Sequence, residues 1–184
     1  PLLANVYLHW FDTFFQAAGG PAHWAEATLV RYADDLVILA RRVGPELRAW
    51  IERTLEVRMG LEVNREKTQV VRLRWEGGSV DFLGFTFRFV QGRRGGRHYL
   101  TVTPSRKALA RERATLRALT STRMCWQPIP ALVRTLNRQL AGWANYFTFG
   151  HPRAAFRAIN FAVQKRLRAH LGRRSQRPYR LPKG

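Results

Sequence analysis

Two carboxylates stand side by side in the stretch LVRYADDLVIL, residues 29–39: Asp34 and Asp35. Adjacent carboxylates repel one another, and a chain that places them at a tight tip has two ordinary reasons to do so. One is a solvated turn. The other is a hard cation: carboxylate oxygens hold Mg²⁺, and two such ions ~4 Å apart stabilise the attacking and leaving oxygens of a phosphoryl transfer. Strand alternation sends consecutive side chains in opposite directions, so both aspartates reach one cation only if it sits at the turn itself. A second charged position, Lys67 in NREKT (64–68), reads by itself as a surface lysine in a turn. A third group is cationic. Arg134, Arg138, Arg153, Arg157, Lys165 and Arg168 recur at intervals that set them on polar helix faces.

These residues need elements to hold them. Residues 28–32 and 36–40 flank Asp34 and Asp35 with apolar, β-branched runs, which predicts a hairpin. Upstream, LLANVYLHWFDTFFQA (2–17) places Leu3, Val6, Tyr7, Trp10, Phe11 and Phe14 at helical spacing, with Gly19-Gly20-Pro21 as the stop. Asp12 lies on this helix and reads as a solvated position. Residues 45–59 begin at Pro45 and set Leu47, Trp50, Ile51, Leu55 and Met59 at steps of three and four, an amphipathic helix closed by Gly60. LEVNREKTQVVRL (61–73) predicts strand, turn, strand. VDFLGFTFRFV (80–90) predicts a strand with Gly84 in its middle, where a bulge or a close backbone approach belongs, and with Phe85 in the core. A basic turn over 91–98 leads to a strand at 99–103.

Beyond Pro104 the pattern is helical. Residues 103–119 start with Thr-Pro-Ser. Residues 129–147 align Ile129, Leu132, Val133, Leu136, Leu140, Trp143 and Phe147 in one stripe, and residues 153–171 do the same with Phe156, Ile159, Val163, Leu167 and Leu171. Trp143 and Phe147 read as core; Asn137, Arg138 and Asn145 fall off the stripe. The tail GRRSQRPYRLPKG is basic and expected to be mobile. The fold class is α+β: an antiparallel sheet with packing helices over residues 1–104, then an all-helical basic unit over 105–184.

The 184 residues suffice for one compact domain, or a small domain with an appendage. Apolar residues make up 46% of the chain, with six Trp and eleven Phe, so it folds rather than staying disordered. No apolar run approaches the ~20 residues of a membrane span, and no signal peptide pattern is present. The chain opens on PLLANVYLHWFD without a Met, as if inside a helix, which points to a piece of something longer. The single cysteine, Cys125, excludes a disulfide framework and a Cys-rich zinc site; it suits a reducing, intracellular setting and reads as a buried apolar residue beside Trp126. The net charge of +20 is unevenly placed. Residues 1–104 carry 14 Lys and Arg against 11 Asp and Glu, whereas residues 105–184 carry 18 against one, Glu112. A segment so one-sided repels itself unless a polyanion covers it, which favours nucleic acid over the rival anionic membrane surface.

The ordered set PLLANVYLHWFD, RYADDLVILA, GLEVNREKT and VDFLGFTFR, followed by TPSRKAL and LNRQLAGWANYF (136–147), resembles the reverse transcriptases encoded by group II introns, the intron maturases. The resemblance implies the C-terminal half of a reverse-transcriptase palm over 1–104 and the maturase-specific thumb, or X domain, over 105–184. It makes Asp34 and Asp35 Mg²⁺ ligands and catalytic residues, places Tyr32 and Ala33 at the nucleotide, brings Lys67 near the incoming nucleotide, and sets Gly84 and Phe85 beside the primer end. The implied activity is RNA-templated DNA synthesis, the implied partners are group II intron RNA and an RNA/DNA template–primer, and the implied location is the bacterial cytoplasm, with nucleoid or RNA. Family members carry the fingers and another palm aspartate upstream of PLLANVYL, so the 184 residues alone are expected to hold metal weakly and not to polymerise; a separate chain could supply the missing half. The alternatives are a non-catalytic RNA-binding splicing cofactor and an inactive truncated remnant. Retron and diversity-generating enzymes fit less well, because GWANYF is the maturase-like feature.

Overall fold

A computed structural model describes residues 2–74, 77–92 and 97–174. The chain is a mixture of helices and small antiparallel sheets, divided into two compact units, Pro1–Val70 and Val71–Gly184. The passage from sheet to helix near Pro104 therefore falls inside the second unit.

In the first unit, helix α1 (Leu2–Gln16) is followed by the single turn α2 (Pro21–Trp24), strands β1 (Ala27–Tyr32) and β2 (Asp35–Ala40), and helix α3 (Pro45–Glu52). Helix α3 runs on as a π-helical turn over Arg53–Arg58, and Gly60, at φ +63°, reverses the chain. The core gathers Phe11, Phe15, Ala27, Leu55 and Met59, with Trp50 set edge-on to Phe15. Of the expected apolar face of α1, Leu3, Val6, Tyr7 and Trp10 are exposed, and the buried line runs through Leu8, Phe11 and Phe15 instead. That line is the one that meets the hairpin and the α3 segment; Tyr7 keeps one link, donating its hydroxyl to the Met59 carbonyl.

The strands expected within 61–73 do not form. Leu61 and Val63 pack on the core, but among the described residues no strand pairs with this segment, and the chain turns at residues 65–67. Asn64 organises that turn: its side-chain and backbone oxygens both accept from the Lys67 amide, and its carbonyl also takes the Thr68 amide and hydroxyl. This is the Asx-type competition that draws a chain out of regular structure.

The second unit holds a three-stranded antiparallel sheet, β3 (Ser79–Phe82), β4 (Phe85–Gln91) and β5 (His98–Pro104), in that order. The run 80–90 is thus two strands rather than one. Leu83 and Gly84, at φ +49° and +80°, are the two central residues of a hairpin turn in which Phe82 faces Phe85, the I′ arrangement that matches strand twist. Part of the predicted basic turn over 91–98 lies outside the described residues. Helices α4 (Arg106–Leu119), α5 (Ile129–Tyr146) and α6 (Arg153–Arg174) follow, with a 3₁₀ turn at Thr122–Met124. Ser105 caps α4 by accepting the Ala108 amide, which explains the Thr-Pro-Ser start. At the other end, the Thr120 carbonyl lies within hydrogen-bonding distance of His170 Nδ1 and accepts from Arg173. Leu116, Leu132, Leu136 and Ile159 form the helical core, with Trp143 packed against it. Cys125 is half-buried, not fully enclosed, because it sits in the α4–α5 connection. The predicted tail lies largely outside the described residues; Gly172–Arg174 belong to α6.

Candidate metal-binding hairpin and nucleic-acid interface

The hairpin of the first unit presents the two aspartates differently. Register pairs Tyr32 with Asp35, so Ala33 and Asp34 are the two turn residues. Alternation divides the ribbon. Ala27, Leu29 and Arg31 face the core, while Thr28, Val30 and Tyr32 face outward, and Asp35 shares the outward side with Tyr32 across the ladder. Asp34 and Asp35 are both exposed, and among the described residues neither side chain is held by a hydrogen bond or an ion pair.

The inward Arg31 is the residue that the sequence reading missed. An arginine on the core face of a strand needs a carboxylate, and α1 carries a single acid, Asp12. Arg31 Nε lies 3.0 Å from Asp12 Oδ1, and Nη2 lies 2.6 Å from Oδ2, a two-pronged pair with Arg31 only 15% exposed. The same guanidinium donates from Nη1 to Asn5 Oδ1 and to the Ala33 carbonyl, both at 3.0 Å. Asp12 is therefore not a solvated helix position. Its hydrogen bonds raise the Arg31 pKa above the ordinary arginine value. Ala33 has φ +54°, a conformation that costs a non-glycine residue about 1–2 kcal/mol, and the Arg31 bond to its carbonyl helps to hold it. The clamp ties the tip to α1 and keeps the Arg31 guanidinium occupied with Asp12.

Two carboxylates with hard oxygen donors fit Mg²⁺, which commonly takes one or two protein carboxylates and completes its shell with water and phosphate oxygens. No group of three His, Cys, Asp or Glu that could hold a metal occurs among the described residues. Lys67 is exposed on the Asn64 turn; no side-chain bond ties it to the hairpin among the described residues.

In the second unit, Gly84 and Phe85 meet the end of α5. The Phe85 ring stacks on Tyr146 at 5.7 Å between centroids and stands edge-on to Phe147 at 4.9 Å. Tyr146 donates its hydroxyl to the Leu83 carbonyl at 2.8 Å, and the Gly84 carbonyl accepts from the Ser105 amide at 2.8 Å. The FLGF turn and the NYF end of GWANYF are thus one packed cluster. Arg134 and Arg138 are exposed on α5, opposite its buried stripe; Arg153, Arg157, Lys165 and Arg168 are exposed on α6. No ion pair joins described residues between Arg106 and Arg174, and the one acid of that span, Glu112, is buried.

Residues 109–182 match the family model for the group II intron, maturase-specific domain. This part of the chain is similar to a maturase-specific domain. No curated protein matches the chain. The match supports a maturase role in group II intron splicing, with intron RNA as the partner. No helix among the described residues is long and apolar enough to cross a membrane.

Within this matched segment, Glu112 leaves the cationic surface uncompensated by turning inward. Its Oε2 accepts from Gln139 Nε2 at 2.8 Å, while Oε1 is buried with no hydrogen-bond partner among the described residues. Burial raises its pKa, and the Gln139 bond opposes the rise only in part. The folded state therefore binds the Glu112 proton more tightly than the unfolded chain does. This contribution to stability is present below the ordinary carboxylate range and fades as pH rises through the elevated folded pKa. Glu112→Gln should accordingly be more stable than the parent at pH 7.5, by on the order of 1 kcal/mol, with the two converging near pH 4. Urea titrations at both pH values check this; a constant difference would remove Glu112 as the cause.

Proposed function

We propose that the 184 residues join part of a reverse-transcriptase palm to the maturase-specific domain, which acts as the thumb, and that in a complete polymerase the YADD hairpin takes part in RNA-templated DNA synthesis. Asp34 and Asp35 hold Mg²⁺ there, which supplies charge stabilisation to in-line phosphoryl transfer. Tyr32, on the same outward side as Asp35, and Ala33 at the strained tip line the nucleotide site. Lys67 offers a point charge to a phosphate. Gly84 and Phe85, fixed against Tyr146 and Phe147, border the primer end. Arg134, Arg138, Arg153, Arg157, Lys165 and Arg168 bind the phosphates of intron RNA or of a template–primer duplex, which gives affinity and strong salt dependence but no sequence choice. RNA shape and single-stranded loops provide the choice.

The observation that carries the RNA half is the exposure of these six cations on a domain whose one acid between Arg106 and Arg174 is buried. Ordinary surfaces mix their charges. A second reading has its own support: two carboxylates hold Mg²⁺ weakly, so the chain by itself acts as a non-catalytic splicing cofactor.

Filter binding of a labelled group II intron RNA, together with splicing at limiting Mg²⁺, tests the proposal. Affinity should fall roughly a thousandfold between 50 and 200 mM salt if about six phosphates are neutralised. Asp34→Ala should bind as the parent does, because the hairpin is not the RNA grip. Salt-independent binding, or no binding, would end the RNA half. Primer extension by the isolated chain with Mg²⁺ or Mn²⁺ should give no product; robust product would refute the cofactor reading.

A further inference from the structure

Helix α6 carries one residue that its amphipathic design does not explain. Its buried side runs through Ala155, Ile159, Val163, Leu167 and His170. Phe161 lies on the opposite side and is 69% exposed. Arg157 stands four residues before it, Lys165 four after and Arg168 seven after, so the ring sits in the middle of the cationic face, within one turn of two positive charges. Other rings of this domain are occupied: Tyr146 and Phe147 by Phe85, and Trp143 by Phe147 and Phe156. Among the described residues, no aromatic ring stacks on Phe161 and no cation lies over it; the one cation–π pair, Arg58 with Phe14, is elsewhere. Phe149 and Trp126, also exposed, lie in connections rather than on the cationic face of a helix.

An exposed phenyl contributes nothing to the core. It stands one helical turn from both Arg157 and Lys165 on an exposed face, where a base could lie against the ring while those cations reach its phosphates. We propose that Phe161 is a stacking platform for an unpaired RNA base whose flanking phosphates are held by Arg157, Lys165 and Arg168. The inference rests on the RNA-binding reading above and refines it: this face takes single-stranded loops or ends, because in a duplex the base faces are already covered. Charge complementarity selects RNA as the occupant.

The test uses the full 184-residue chain and two probes, an RNA stem–loop with 2-aminopurine in the loop and the same stem as a blunt duplex. The parent should bind the stem–loop and quench 2-aminopurine. Phe161→Ala should lose about 5- to 100-fold in affinity for the stem–loop, abolish the quenching, and leave duplex affinity and both salt slopes unchanged. Phe161→Trp should restore affinity and quenching. Arg157→Ala should weaken both probes and lower the salt slope by about one. Circular dichroism confirms that the variants fold, which the exposure of Phe161 favours. Equal losses on both probes, or none on the stem–loop, would overturn the platform while leaving RNA binding standing. A parent that binds neither probe would overturn both. Phe161-dependent retention on phosphatidylserine vesicles, with stem–loop binding indifferent to Phe161, would mark the face as a membrane surface and likewise overturn the proposal.

Discussion

Phe147→Ala is expected to lower the unfolding free energy of the second unit by about 3–5 kcal/mol, the usual result of emptying a buried aromatic site. Phe147 is 5% exposed, and its ring centroid lies 4.9 Å from those of Phe85 and Trp143 and 4.8 Å from that of Tyr146. A Cβ added at Gly84 would come within 3.3 Å of the Phe147 ring, so the hairpin turn and the helix end are already in close contact. The cavity cannot close cheaply. Gly84 is fixed at φ +80° by its turn, its carbonyl is bound to Ser105, and Trp143 is pinned on its other side by the helical core. Since small domains have only about 5–15 kcal/mol to lose, the variant should unfold early and shed its RNA affinity with its fold. Tyr146→Phe is the matched control. It keeps the stack on Phe85 and removes one hydrogen bond to Leu83, a change of about 1 kcal/mol. Urea denaturation of both variants decides: a loss under 1 kcal/mol for Phe147→Ala would mean that the cluster is not what joins sheet to helix.

That cluster also shows what a linear reading can reach. The three long helices of the second unit were legible because each buries one stripe at a fixed period and because Ser105 caps at a recognisable place. The hairpin around Asp34 and Asp35 was legible from the apolar, β-branched runs that flank them. The close backbone approach expected at Gly84 is met by the Phe147 ring, but its place within one strand was not, because a glycine inside an apolar β run fits a bulge and a two-residue turn equally well; Phe82 opposite Phe85 is a fact of pairing, not of sequence. The 61–73 segment failed for a related reason. Its β-branched residues satisfy a strand pattern, but a strand needs a neighbour, and Asn64 offers the backbone other partners. On α1, spacing alone defined a wide apolar face, and only the packing of the hairpin and α3 shows that Phe11 and Phe15 are the buried ones. Arg31 was within reach. It sits an even number of residues from Ala27 and Leu29, so alternation turns it inward, and Asp12 was the one acid on the helix beneath it.

Asp12 carries the second large effect. Asp12→Asn, in a complete polymerase bearing this hairpin, should reduce primer extension by on the order of a hundredfold, the scale of a small misplacement of reacting groups. The substitution breaks the charged two-pronged pair and leaves the Arg31 guanidinium, the partner of the Ala33 carbonyl, held chiefly by Asn5. Two distinct consequences could lower activity. The strained tip could relax, or the freed cation could swing to Asp34 and Asp35 and compete with metal for their oxygens. The second predicts its own cure, because Arg31→Met removes the competitor. Mn²⁺-induced broadening of amide signals from residues 33–36 in the 184-residue chain reads local metal affinity directly. Asp12→Asn should weaken it about tenfold, and the Asp12→Asn/Arg31→Met pair should regain most of it, whereas Asp34→Ala sets the floor. Recovery in the double variant means that Asp12 serves to keep a positive charge away from the two aspartates. Without recovery, the same residues act by holding the shape of the turn. Broadening unchanged in Asp12→Asn would show that the clamp beneath the hairpin has no bearing on its carboxylates.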